Sequence, residues 1–122
     1  MKQNPWIPVI FVSLLILILT SVPKIPAPPR SIHFLDKVAH FLIYFLWGFT
    51  LSRIWNARFS KSAAFTAFMC ATPVLFPAFD ELHQFLIPGR NPSLLDWVCD
   101  VAGAALGFSI FAKWKQHSGN GA

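Results

Sequence analysis

Apolar residues fall in four long runs separated by short polar or proline-bearing stretches. The first is Pro5 to Val22, within which Val9 to Leu19 carries no charge. The second, Val38 to Trp55, is interrupted by His40, Tyr44, Gly48, Thr50 and Arg53. The third is Ala63 to Phe79, between Lys61 and Asp80, and the fourth is Leu94 to Trp114. A helix needs about 20 predominantly apolar residues to cross the hydrocarbon core of a bilayer, so each run predicts a membrane span, with helices over about 5–22, 36–55, 62–85 and 93–114. Pro23, Pro26, Pro28 and Pro29 end the first, and Pro73 and Pro77 predict a bend in the third. Connections of about ten residues leave no room for a further domain. The expectation is all-α: residues 1–122 as a single domain, an integral membrane bundle of four transmembrane helices.

Composition sharpens this picture. Of the 122 residues 55% are hydrophobic and 12% charged, more apolar surface than a soluble core hides. A secretory signal peptide is the competing reading of the first run, because Lys2 precedes it. No small-x-small cleavage site follows cleanly, however, and prolines crowd the place where one belongs, so a retained anchor is expected. Lys and Arg favour the cytoplasmic side. With both termini inside, that side carries Lys2, Arg53, Arg58, Lys61, Lys113 and Lys115, against Lys24, Arg30, Lys37 and Arg90 outside. The N-in/C-in arrangement is therefore expected, in the cell inner (cytoplasmic) membrane. The net charge of +5 sits singly at helix ends, as suits anionic headgroups rather than nucleic acid. Trp6, Trp55, Trp97 and Trp114 lie near the expected membrane boundaries. Cys70 and Cys99 differ in depth, so no disulfide is expected, and two isolated thiols lack metal-site spacing.

Ionisable residues within a span are costly and mark functional candidates. All five carboxylates, Asp36, Asp80, Glu81, Asp96 and Asp100, fall at the outer side of the four-helix arrangement. On the second helix Asp36, His40, Tyr44 and Gly48 recur every four residues and share one face, with Asp36 expected to cap the helix start. Asp80, Glu81 and Gln84 lie near the C-terminal end of the third helix, where the dipole disfavours negative charge. Arg90, after Pro88-Gly89, is the expected partner cation. On the fourth helix Asp96 and Asp100 are one turn apart, with Gly103 and Gly107 on the same face. Ser93 and Asp96 fit a capping box, and Gly103-x-x-x-Gly107 permits close helix contact. Asp36, His40, Glu81, Gln84, Arg90, Asp96 and Asp100 are expected to converge on one outward-facing polar pocket framed by helices two, three and four.

Two blocks, DKVAHF from Asp36 with Tyr44 and Gly48, and DELHQFLIPGRNPSLLDWVCDVAGAALG from Asp80 to Gly107, resemble the VanZ-like family. The resemblance implies a polytopic bundle of this size and carries over Asp36, His40, Glu81, Gln84, Arg90, Asp96, Gly103 and Gly107. Position 100 is commonly Asn in that family; here it is Asp100, which adds a charge. The family's namesake is associated with low-level resistance to teicoplanin, a lipophilic glycopeptide, so an effect on sensitivity to envelope-active antibiotics is one implied consequence.

Two functional classes fit. In the first, the pocket binds a lipid headgroup or a lipid-linked envelope ligand, with Arg90 meeting phosphate and the carboxylates suiting an amine, a sugar or a cation. In the second, an intramembrane hydrolase or transferase uses Glu81 or Asp36 as base with His40 as partner or metal ligand, although no HExxH spacing, serine elbow or activated cysteine is present. The first is preferred, with no cofactor and no resident metal expected. Membrane lipid and a lipid-linked ligand are the expected partners, a homo-oligomer stays open, and nucleic acid is not expected.

Overall fold

The computed structural model describes residues 3–23, 30–58 and 60–119. Pro26, Pro28, Pro29, Lys2 and Lys24 lie outside the described residues, as do the side chains of Arg30 and Lys115. Four helices follow in order: α1 Trp6–Thr20, α2 Arg30–Ala57, α3 Ala63–Gln84 and α4 Leu94–Gly119. Stretches of 25, 22 and 21 residues within α2, α3 and α4 are long and apolar enough to cross a membrane. At 1.5 Å per residue they extend about 31 to 37 Å, matching a hydrocarbon core of about 30 Å. Helix α1 has 15 residues, about 22 Å, and is a shorter apolar helix than the run from Pro5 to Val22 predicts. Ser21 keeps an αR backbone and bonds back to Leu17 O through its N–H (3.0 Å) and its hydroxyl (2.6 Å), and the helix goes no further because Pro23 disfavours the α conformation at Val22.

Helix α2 begins at Arg30, six residues before the expected start at Asp36. Its first two turns are rich in polar residues, so a hydropathy reading starts too late, although nothing in them opposes a helix. Asp36 is therefore an interior residue with no capping role. Helix α3 is capped at Ser62, whose side chain accepts from Phe65 N (3.1 Å), and it runs through Pro73 and Pro77 to Gln84 as one helix. Both prolines are buried.

Helices α2 and α4 form the most extensive pair, with α1 laid on α2 and α3 on α4. Small residues permit the α2–α4 approach. A methyl group on Gly48 would run into the Ala104 carbonyl, one on Gly103 into the Phe41 carbonyl, and one on Gly107 into the Phe45 carbonyl. The apolar core gathers Val9, Val12 and Ile16 of α1, Tyr44, Trp47, Leu51 and Ile54 of α2, Met69 of α3 and Ala104 of α4. Trp47 stacks on Phe76 at 4.8 Å and donates to Ser13 Oγ (2.8 Å), which fixes α1 against α2. The outside is inverted relative to a water-soluble protein: Phe11 is 67% exposed and Leu82 71%, while Asp80 and Asp100 are 0% exposed. Apolar side chains outside and charges inside are what a lipid surround selects.

Candidate functional site

The four-residue period of Asp36, His40, Tyr44 and Gly48 forms a stripe, and the glycine contacts decide where the stripe faces. Because Gly48 and Gly103 bring α2 and α4 to backbone contact, His40 meets Asp100 directly, Nδ1 to Oδ1 at 2.9 Å. Asp36 Oδ2 lies 4.0 Å from His40 Nε2. Lys37 spans the same interface and binds Asp96 Oδ1 at 2.5 Å. One turn below His40, the Tyr44 hydroxyl donates to Asp80 Oδ2 (2.9 Å).

Asp80 and Glu81 are adjacent on α3 and serve different neighbours. Asp80 accepts from Thr20 Oγ1 (2.7 Å), Tyr44 and Gln84 Nε2 (3.3 Å), tying α1, α2 and α3 at one carboxylate. His83, on the same turn, lies against α1, with Nε2 3.4 Å from Ser21 Oγ. Glu81 Oε2 accepts from Ser93 N (3.0 Å) at the start of α4. Ser93 Oγ in turn accepts from Asp96 N (3.3 Å). Ser93 thus supplies its half of the capping box, while the return bond assigned to Asp96 is made by Glu81 from another helix. A carboxylate at the C-terminal end of α3 stands against that helix's dipole, but at the N-terminus of α4 it is favoured. The neighbouring helix resolves the local conflict.

Arg90 does not pair with Asp80 or Glu81 as expected. Pro88 and Gly89 form a turn closed by Arg90 N to Ile87 O (3.2 Å), with Gly89 at φ 76°, the backbone that glycine supplies at the third position of a type II turn. This carries Arg90 to the end of α1, where Nη2 donates to Leu19 O (3.1 Å) and Nε to Val22 O (2.8 Å). A third donor, Nη1, reaches Gln84 Oε1 (3.3 Å). The guanidinium closes a helix end whose last carbonyls lack intrahelical donors.

A cavity of about 170 Å³ opens between α1 and α2, lined on its polar side by Thr20, Asp36, His40, Tyr44 and Arg90 and on its apolar side by Ile16, Leu19, Ala39 and Ile43. The frame differs from the expected one: α1 supplies a wall, and Glu81, Gln84, Asp96 and Asp100 are buried between helices behind the lining. A shallow groove of about 380 Å³ between α3 and α4 reaches Glu81 from the other side, beside Leu82, Ser93 and Trp97. At the opposite end of the bundle, a groove of about 340 Å³ is lined by Arg53, Asn56, Phe111 and Trp114 among others and has no carboxylate in its wall.

Two groups could offer a metal three ligand atoms within 4.8 Å of one another: Asp36, His40 and Asp96, and His40, Glu81 and Asp100. Glu81 Oε1 and Asp100 Oδ2 are buried with no hydrogen-bond partner among the described residues. Sequence reasoning missed Thr20 and undervalued Lys37, which it counted only as a loop charge. A hydroxyl at the end of an otherwise apolar run, and a cation one residue from Asp36, were the available signals.

Three membrane-length apolar helices, a shorter fourth and a buried polar cluster between them define a multi-pass helical membrane protein. Residues 3–115 match the VanZ/LLP1 family model, and the chain belongs to that family. Comparison with curated proteins and with solved structures finds no match.

Proposed function

We propose that the protein binds the headgroup of a membrane lipid or a lipid-linked envelope molecule in the cavity between α1 and α2, and that the preferred headgroup carries both phosphate and amine. The observation that carries this reading is the cavity's lining, which brings Arg90, Asp36 and His40 to one cavity with an apolar wall. Arg90 has five N–H donors. Three are spent on Leu19, Val22 and Gln84, so two are left to fork onto phosphate oxygens. Asp36 and the carboxylates behind it supply the negative potential that an ammonium group would meet. The wall of Ile16, Leu19 and Ile43 suits the start of an acyl or polyprenyl chain. In this reading the cavity faces the outer side of the cytoplasmic membrane, both termini lie inside, and occupancy of the lipid-linked ligand alters sensitivity to lipophilic glycopeptides.

Native mass spectrometry of the detergent-purified protein, titrated with phosphatidylethanolamine and with phosphatidylglycerol, tests the headgroup directly. Preferential retention of the ethanolamine lipid is expected, with the preference weakened in Asp36→Asn. Retention indifferent to headgroup, or favouring the glycerol lipid, would exclude the reading.

A second reading has one observation in its favour. The 2.9 Å contact orients the His40 ring against Asp100, the arrangement in which a carboxylate positions an imidazole as general base, and His40 lines the cavity. Release of a headgroup or acyl chain from a bound lipid, lost in His40→Gln, would show an intramembrane hydrolase.

A further inference from the structure

The geometry points to a binding site for one divalent transition-metal ion, of the Zn²⁺ or Mn²⁺ class, held by His40, Glu81 and Asp100 at the junction of α2, α3 and α4. Three separate observations support it.

The first is ligand spacing. Two ligand atoms about 2.1 Å from one ion and at right angles to each other stand about 3.0 Å apart. His40 Nδ1 and Asp100 Oδ1 are 2.9 Å apart, a hydrogen bond whose proton an ion bound between them would displace. His40, Glu81 and Asp100 each offer a ligand atom within 4.8 Å of the others, little more than the about 4.2 Å between opposite ligands of one ion.

The second concerns unspent atoms. Glu81 and Asp100 each keep one oxygen without a hydrogen-bond partner among the described residues, and the two side chains are 94% or more buried, with Glu81 6% and Asp100 0% exposed. A buried carboxylate oxygen left unpaired is expensive. These two orphans belong to two of the three residues that form the cluster.

The third is charge and access. Four buried carboxylates, Asp80, Glu81, Asp96 and Asp100, gather at this junction, and among the described residues Lys37 is spent on Asp96 and Arg90 on carbonyls and an amide. An added divalent charge relieves the excess where water is scarce. The cavity beside His40 and the groove beside Glu81 give an ion two approaches. One imidazole with two carboxylates suits Zn²⁺ or Mn²⁺, whereas Mg²⁺ and Ca²⁺ are taken by oxygen-only sets. The site differs from the metal-free pocket expected from the sequence, and it does not rest on the headgroup reading, since metal uptake is measured without added lipid.

The test uses the full-length protein in detergent, stripped with chelator, exchanged into buffer with Zn²⁺, Mn²⁺, Mg²⁺ or Ca²⁺, and read by elemental analysis and thermal unfolding. About one Zn²⁺ or Mn²⁺ per chain is expected, with a rise in unfolding temperature as binding to the native state requires. Glu81→Gln and Asp100→Asn, which preserve shape, should each weaken uptake by about tenfold or more, and Cys70→Ser should leave it unchanged. If wild-type protein that is folded takes up neither ion, or takes up only Mg²⁺ or Ca²⁺, the site is wrong. Unaltered uptake in folded Glu81→Gln and Asp100→Asn would also overturn it. Should both variants fail to fold, wild-type stoichiometry together with the Cys70→Ser result decides.

Discussion

Asp80 and Glu81 are neighbours on one turn of α3, both buried, and their surroundings assign them different work. Asp80 has a full set of donors from three helices, which makes it a structural tie. Removing it leaves the Tyr44 hydroxyl buried without an acceptor, at a cost of about 1–3 kcal/mol. The Thr20 hydroxyl suffers less because Ile16 O is 3.0 Å away. Asp80→Ala is therefore expected to lower the unfolding temperature clearly, and Tyr44→Phe by less. The double variant should fall short of the sum, with a coupling of about 0.5–3 kcal/mol. Additivity in that thermal-unfolding cycle would mean that the 2.9 Å bond carries no stability. Glu81 was legible in the sequence as a residue out of keeping with its own helix dipole. Its main-chain partner, Ser93 N, was not, because backbone donors leave no mark on composition or spacing. Arg90 illustrates the same blindness: its acceptors are carbonyls about 70 positions earlier in the chain, and a reading that searches for opposite charge selects Glu81 instead.

At the scale of elements, the α2–α4 seam orders the site. The stripe from Asp36 to Gly48 and the pair Gly103 and Gly107 could be read directly, since a period of four residues specifies a helix face and glycine on that face permits close approach. The start of α2 could not, because polar residues at 30–37 lower the local hydropathy without opposing the helix. Gly103→Ala places a methyl group against the Phe41 backbone, and backbone cannot rotate aside as a side chain does. The helices must separate, for a loss of about 1–3 kcal/mol or more, and the His40–Asp100 contact one turn away opens with them. Ala105→Val, on the exposed side of α4, should change stability little. Thermal unfolding of the two variants side by side separates a packing seam from a general intolerance of larger residues in α4. The Arg90 clasp makes a second prediction at this scale. Arg90→Lys keeps the charge and loses the planar fork, so amide hydrogen exchange should rise in the last turn of α1 and leave α2 unaffected. Protection unchanged at Leu19 to Val22 would mean that the clasp contributes nothing to the order of that helix end.

For the whole molecule, the two ends differ in kind. One gathers every carboxylate in the sequence, while the other presents Arg53, Arg58 and Lys61, with Arg58 over the Phe65 ring and Lys61 over the Trp55 ring, each at 4.7 Å. By count of Lys and Arg the preference for placing that second end in the cytoplasm is modest. Lys37 and Arg90 at the first end are engaged by protein groups, as Arg58 and Lys61 are at the second, so the proposed orientation rests on the count. The short α1 is compatible with the proposed arrangement, because its polar end at Thr20 and Leu19 is met by Asp80 and Arg90. An N-in/C-in arrangement makes a direct prediction about two engineered positions in otherwise cysteine-free protein (Cys70→Ser, Cys99→Ser). In intact cells a membrane-impermeant maleimide should label a cysteine placed at Asn91, in the α3–α4 connection, and should label one placed at Ser60, in the α2–α3 connection, only after the membrane is opened. Labelling in the reverse order would put the carboxylate cluster on the cytoplasmic side. The cavity would then have to draw its lipid from the inner leaflet, and the outer-envelope part of the functional proposal would fail while the metal site, which depends only on side-chain geometry, would stand.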